Sequence, residues 1–198
     1  MTKISMDLIQ QLRARTGVGM MDCKKALIEA GGDLEQAAEL LRKKGASVAA
    51  KRAGNATGEG LVHAYIHPGS RVGVLLEVNC ETDFVARTDE IKQFAADICL
   101  HIAAMKPLYL DPESVDSKFL EHEKDIMKEQ LKESGKPEKM LDKIVEGKLN
   151  KLYSDVCLMQ QSYVKNDQLT VEDYLKELIA KMGENIKIRR FSRFDISL

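Results

Sequence analysis

The sequence predicts an α+β protein in which a small helical module precedes a mixed core. Three observations carry this. Apolar residues recur at helical spacing through the first 44 positions. The period changes to two between Gly60 and Val78. Helical stripes then return from Ile91 onward, before a last alternating run near residues 184–194.

The first module reads as three short helices. Ser5 is placed to cap the first, with Leu8, Ile9 and Leu12 on one side. Thr16-Gly17-Val18-Gly19 breaks it. A second helix runs from Met20 or Met21 to Ala30 and ends at Gly31-Gly32. Asp33 caps the third, whose stripe is Leu34, Ala37, Ala38 and Leu41, and Gly45 is expected to stop it. Residues 46–58 are small and weakly patterned, read as a linker or a short helix. The core is then residues 59–198.

Val62, Ala64 and Ile66 alternate with His63, Tyr65 and His67, Pro68-Gly69-Ser70 turns, and Val72, Val74, Leu76 and Val78 alternate again. This predicts a β-hairpin with one apolar face. Ile91, Phe94, Ala95, Ile98, Ile102 and Met105 form an amphipathic helix ended by Pro107. Asp111-Pro112 restarts helix. Two polar helices around Gly135-Lys136-Pro137 then predict a projecting hairpin over residues 116–152, whose sparse apolar residues suit a structural or docking arm and not a core bundle. Thr170 and Asp173 open a last helix that Gly183 closes. In the final strand, Lys187, Arg189, Phe191 and Arg193 share one face, with the arginines expected in solvent.

Composition excludes several function classes. The 30 basic and 31 acidic side chains give a net charge of −1, unlike a dedicated polyanion binder. Trp is absent and aromatics are 5%, too few for a base-stacking platform. The longest run without Asp, Glu, Lys or Arg is 11 residues, Gly60 to Ser70, far short of a membrane span. The first residues lack the apolar segment of a secretory signal. A cytoplasmic globular protein is the expectation.

No catalytic constellation stands out. Cys23, Cys80, Cys99 and Cys157 lie 57, 19 and 58 residues apart, so no zinc-ribbon or redox pair forms, and buried thiols are expected. His63 and His67 share a strand face but lack further ligands, so no metal or cofactor is expected. Cys99 and His101 are two apart on a helix and point to different faces, which is no dyad. An enzyme with an unrecognised site stays a rival reading that no residue pattern supports. Residues 1–58 hold ten basic and six acidic side chains, including Arg42, Lys43, Lys44, Lys51 and Arg52. A solvated face or an acidic partner explains that patch better than nucleic acid, and no direct nucleic-acid contact is expected.

Two segments stand out as candidates. Val18, Gly19, Met20 and Met21 form an apolar loop in a module too small to bury much, read by residue type as plain packing ahead of a contact surface. Thr82-Asp83-Phe84-Val85 sits where a strand gives way to a helix. Thr82 suits the cap and Asp83 the first turn. By residue type alone, Phe84 packs inward more readily than it stands out beside a carboxylate.

The stretches Arg15–Leu27 (RTGVGMMDCKKAL), Val78–Arg87 (VNCETDFVAR) and Gly183–Phe191 (GENIKIRRF) resemble, in order, the signature segments of bacterial elongation factor Ts. The resemblance implies a ubiquitin-associated-like module over residues 1–45 and an α+β core. It implies guanine-nucleotide exchange on elongation factor Tu, the GTPase that carries aminoacyl-tRNA. Thr82, Asp83, Phe84 and Val85 would then disturb the Mg²⁺ region of that GTPase, with Phe84 turned outward. Val18, Gly19, Met20 and Met21 would touch the same G domain. Longer family members hold two related core halves, and this chain holds one. A homodimer is the implied substitute, with the last strand, Glu184–Phe194, as candidate interface.

Overall fold

A computed structural model of the chain describes residues 4–133 and 138–196. The chain divides into two compact units. Unit 1 comprises Met1–His63, Glu77–Ala96 and Asp173–Arg189, and unit 2 comprises Ala64–Leu76, Asp97–Glu172 and Arg190–Leu198.

Unit 1 begins with α1 (Met6–Thr16), α2 (Met20–Glu29) and α3 (Leu34–Arg52). The expected caps form: Leu8 N–H donates to Ser5 Oγ at 3.2 Å, and Gln36 N–H to Asp33 Oδ1 at 2.9 Å. Gly17 takes a left-handed φ of 68° to end α1. Ile9, Leu12, Cys23, Ala26, Leu27, Ala37 and Leu41 make the core of the three helices.

Gly45 does not stop α3, which continues seven residues to Arg52 through the segment read as linker or short helix. Gly45 is buried, and a Cβ there would lie 3.1 Å from the Ala180 Cβ of α8 (Val171–Met182). The glycine serves close helix approach, not helix termination, and the local residue pattern cannot distinguish the two.

Strand β1 (Glu59–Ile66) pairs with β2 (Val72–Cys80), and the sheet order is β1-β2-β5, with β5 at Ile186–Asp195. Gly60 has φ 153°, and a Cβ would collide with Val78 O, so only glycine fits. Ser70 N–H donates to His67 O at 2.9 Å across Pro68-Gly69, where Gly69 has φ 90°, as a turn with glycine third requires.

The two apolar sets of the hairpin do not share a face. His67 N–H donates to Val72 O at 2.9 Å, which places Ile66 against Gly73, whose Cβ would lie 3.1 Å from Ile66 Cδ1. Val74, Leu76 and Val78 are therefore buried on the side of His63 and Tyr65, while Val62, Ala64 and Ile66 are exposed with Leu75. Turn length set the register, and alternation within each strand carries no information about it.

Helix α4 is the single turn Asp83–Ala86, and α5 follows at Asp89–Met105. In unit 1, Phe94 meets Tyr174 of α8 at a ring separation of 5.1 Å. In unit 2, Pro112–Ser114 forms only a 3₁₀ turn capped by Asp111, and α6 (Ser117–Glu133) starts after Asp116. Asp116 Oδ1 accepts from Lys118 and Phe119 N–H, both at 3.0 Å. Helix α7 (Glu138–Val156) pairs with α6, and the expected turn at Gly135-Lys136-Pro137 lies outside the described residues. An unforeseen small hairpin follows, β3 (Ser162–Tyr163) with β4 (Asn166–Thr170).

His101 is fully buried in unit 2. Its Nδ1 accepts Val164 N–H at 3.2 Å, and its Nε2 faces Gln161 Oε1 at 3.0 Å. The ring is therefore neutral with its proton on Nε2. Burial lowers its pKa against the opposing Gln161 bond. Cys99 is equally buried, which pushes its thiol up to about 12.

The alternation of β5 breaks at Arg189 and Arg190, both exposed. As a result Arg193 is not in solvent. Its side chain is 14% exposed, donating to Asp195 Oδ2 at 2.6 Å and Ala103 O at 3.3 Å. Phe194 and Ile196 are the outward residues instead.

Candidate partner-binding site

Strand β2 ends at Cys80, and the chain turns into α4 through Glu81 and Thr82. Thr82 is extended, with φ −126° and ψ 156°, and its Oγ1 accepts Val85 N–H at 3.4 Å. Val85 and Ala86 are buried beneath the turn. Phe84, between them and Asp83, is 80% exposed. The reading by residue type alone is thus overturned. A four-residue helix has one inward side, and Val85 with Ala86 occupies it.

Asp83 is not a bare anion in this state. Its Oδ2 lies 2.9 Å from Arg87 Nη2, an i,i+4 pair at the surface. The tip therefore presents an uncovered aromatic ring flanked by a carboxylate and a guanidinium.

The polar groups behind the tip come from distant sequence. Glu184 Oε1 accepts from the Thr82 hydroxyl at 2.7 Å, and Oε2 from Thr82 N–H at 3.1 Å. Glu81 accepts Asn185 N–H at 2.6 Å and the Asn55 side-chain amide at 3.0 Å on each oxygen. The Asn185 amide bond, then the Asn55 one, hold the Glu81 carboxyl below its usual range. Sequence reasoning missed Glu81, Glu184, Asn55, Asn185 and Arg87. Only Arg87 carried a local signal, four residues from Asp83.

The loop in the first module splits into two roles. Met21 is 67% exposed and Gly19 is exposed, whereas Val18 and Met20 are partly buried against the helical core. The Cys23 thiol donates to Val18 O at 3.4 Å, tying the loop to α2. Both the loop and the Phe84 tip belong to unit 1.

Three of the five basic side chains of the α3 patch pair with carboxylates. Lys43 pairs with Glu39 at 2.8 Å, Lys44 with Asp22 at 2.6 Å, and Arg52 with Glu81 at 3.6 Å. Among the described residues, no group of three His, Cys, Asp or Glu is arranged to hold a metal ion, and no helix is long and apolar enough to cross a membrane.

The profile of the family described as Elongation factor TS matches residues 4–178. The chain belongs to the elongation factor Ts family.

Individual relatives agree. An Elongation factor Ts of Thermotoga petrophila is 56% identical over 194 residues, covering 98% of this chain and 96% of the relative. That of Caldanaerobacter subterraneus subsp. tengcongensis is 55% identical over 192 residues, covering 97% and 96%. That of Geotalea daltonii is 54% identical over 188 residues, covering 95% and 87%. The α+β architecture matches the family expectation, and the relatives' coverage runs past the profile match into the last strand.

Proposed function

We propose that this protein is the guanine-nucleotide exchange factor for elongation factor Tu in translation elongation, working in the cytoplasm by binding alone. It engages the GDP-bound GTPase, disturbs its Mg²⁺ site and lets GDP leave so that GTP can rebind. The observation that carries this reading is Phe84, an exposed aromatic on a tightly capped turn, in a chain of the elongation factor Ts family. Thr82 caps the turn, Asp83 and Phe84 face the GTPase, and Val85 anchors the turn from below.

GTPases hold nucleotide with backbone amides, a lysine and Mg²⁺. An exchange factor needs only to favour the nucleotide-free conformation, and by linkage GDP weakens the factor as much as the factor weakens GDP. A thousandfold faster release requires about 4 kcal/mol. Burying Phe84 supplies roughly 1.5–3 kcal/mol before the cost of reshaping the pocket. A second anchor is required. The module at residues 1–45 supplies it through Gly19 and Met21, with Val18 and Met20 shaping the loop.

The active species is a homodimer. Ile66, Leu75, Phe194 and Ile196 of unit 2 are all exposed, an apolar set that a second copy would cover. Strand β5 also stands at one edge of the sheet, in keeping with its candidacy.

The test is release of a fluorescent GDP analogue from elongation factor Tu. A catalytic amount of this protein is expected to accelerate it, and no acceleration by folded protein would overturn the reading.

A further inference from the structure

We infer that Glu184 is the positioning residue of the Phe84 tip, acting through Thr82 to hold α4 ready for insertion. The inference rests on the reading of Phe84 as the inserting residue, and it adds a residue to that site.

Helix α4 cannot fix its own geometry. It has four residues, too few to repay helix nucleation. The Phe84 ring is uncovered and anchors nothing in the free protein. Val85 and Ala86 hold the turn from below, and its polar constraint from outside falls on Thr82.

Every polar group of Thr82 is engaged. Its N–H donates to Glu184 Oε2 at 3.1 Å and its hydroxyl to Glu184 Oε1 at 2.7 Å. Its carbonyl accepts the Cys80 thiol at 3.1 Å and Ala86 N–H at 3.3 Å. Its hydroxyl oxygen accepts Val85 N–H at 3.4 Å.

The direction of the protons makes this specific. A carboxylate only accepts, so the single hydroxyl proton of Thr82 goes to Glu184 Oε1 and the oxygen's lone pairs stay free for Val85 N–H. A glutamine at 184 puts an NH2 where one of the two accepting oxygens stands. The two Thr82 protons then no longer each meet their own acceptor in the observed geometry, and the bond that remains loses the carboxylate charge.

The brace is itself anchored. Glu184 and Asn185 form the turn between α8 and β5, where Gly183 has φ 71°. Asn185 N–H donates to Glu81 at 2.6 Å, while Glu184 receives Thr82 N–H. The two dipeptides, Glu81-Thr82 and Glu184-Asn185, thus bond each other reciprocally. The Asn185 side chain donates to Asn55 O at 2.8 Å and Ala53 O at 3.3 Å. A tip held this way loses little conformational freedom on insertion, so ordering it costs little when the partner closes around it.

The experiment compares full-length Glu184→Gln, Thr82→Val and Thr82→Ser with the wild type in the GDP-release assay. It reads the maximal rate and the half-saturating concentration separately. It also follows amide hydrogen exchange of Val85 and Ala86, whose N–H groups Thr82 accepts, in the free protein. Loss of these charge-assisted bonds is expected to cut the maximal rate about tenfold in E184Q and T82V, with half-saturation moving less than about threefold. Tip amides should exchange about tenfold faster in both. T82S keeps the hydroxyl and is expected to recover most of the rate and of the amide protection that T82V loses. If E184Q fails to fold, the T82V and T82S pair decides. An active wild type with E184Q at the same rate, or T82S as poor as T82V, overturns the positioning role alone. A wild type that leaves GDP release unchanged overturns the exchange reading and the positioning role with it.

Discussion

Two side chains show how exposure and burial divide labour. Phe84 is 80% exposed and contributes little to folding, so Phe84→Ala is expected to lower the maximal GDP-release rate at least about tenfold while stability stays within about 0.5 kcal/mol. Parallel loss of rate and melting temperature would place the ring in the core instead. His101 is the opposite case, neutral and fully buried between Val164 and Gln161. Burial lowers its folded pKa, so the unfolded chain takes up the proton first. Its contribution is complete above the unfolded value of about 6.5 and is lost progressively as pH falls below it. Urea unfolding between pH 8 and 5 should show that decline, and His101→Gln should flatten it. The Glu81 carboxyl adds a second, more acidic loss. Its folded pKa is lowered by Asn185 and Asn55, so its share is present above the unfolded value and disappears as pH drops through the folded one.

Among elements, whatever was local was legible and whatever depended on approach or register was not. Ser5 and Asp33 act as caps within three residues of their partners, and the stripes of α1, α5 and α8 lie inward as their spacing indicates, except Met105 at the end of α5, which is exposed. Gly45 misled because its reason is Ala180, on another helix. A larger side chain there must push α3 from α8. Gly45→Leu is expected to destabilise the protein by about 1–3 kcal/mol despite better helix propensity. A chemical-denaturation midpoint unchanged or raised would contradict that packing. Val62 and Ile66 misled because register decides which face a strand buries, and the turn at His67–Ser70 decides register. Arg193 misled for a kindred reason, since the break in alternation at Arg189 and Arg190 turns it inward toward Asp195.

At the scale of the whole molecule, the family was readable from three stretches spread over the chain, and the Phe84 corner was among them. The support of that corner was not, because Thr82 and Glu184 are 102 positions apart and nothing near either one announces the other. The apolar set of Ile66, Leu75, Phe194 and Ile196 likewise joins residues from three strands and the position just past the last of them. If a second copy covers it, sedimentation at micromolar concentration gives about twice the 22.2 kDa chain mass, and Leu75→Glu returns it to the single-chain value. A wild type that sediments as one chain would remove the dimer. The separation of Thr82 from Glu184 has a consequence in time as well as in space. A ribosome adding 5–20 residues per second completes the corner roughly 5–20 s before it adds the carboxylate that steadies it. If Glu184 positions the tip as proposed, a nascent or prematurely ended chain carries its Phe84 on an unsteadied turn, and the full rate of nucleotide release arrives only with the last tenth of synthesis.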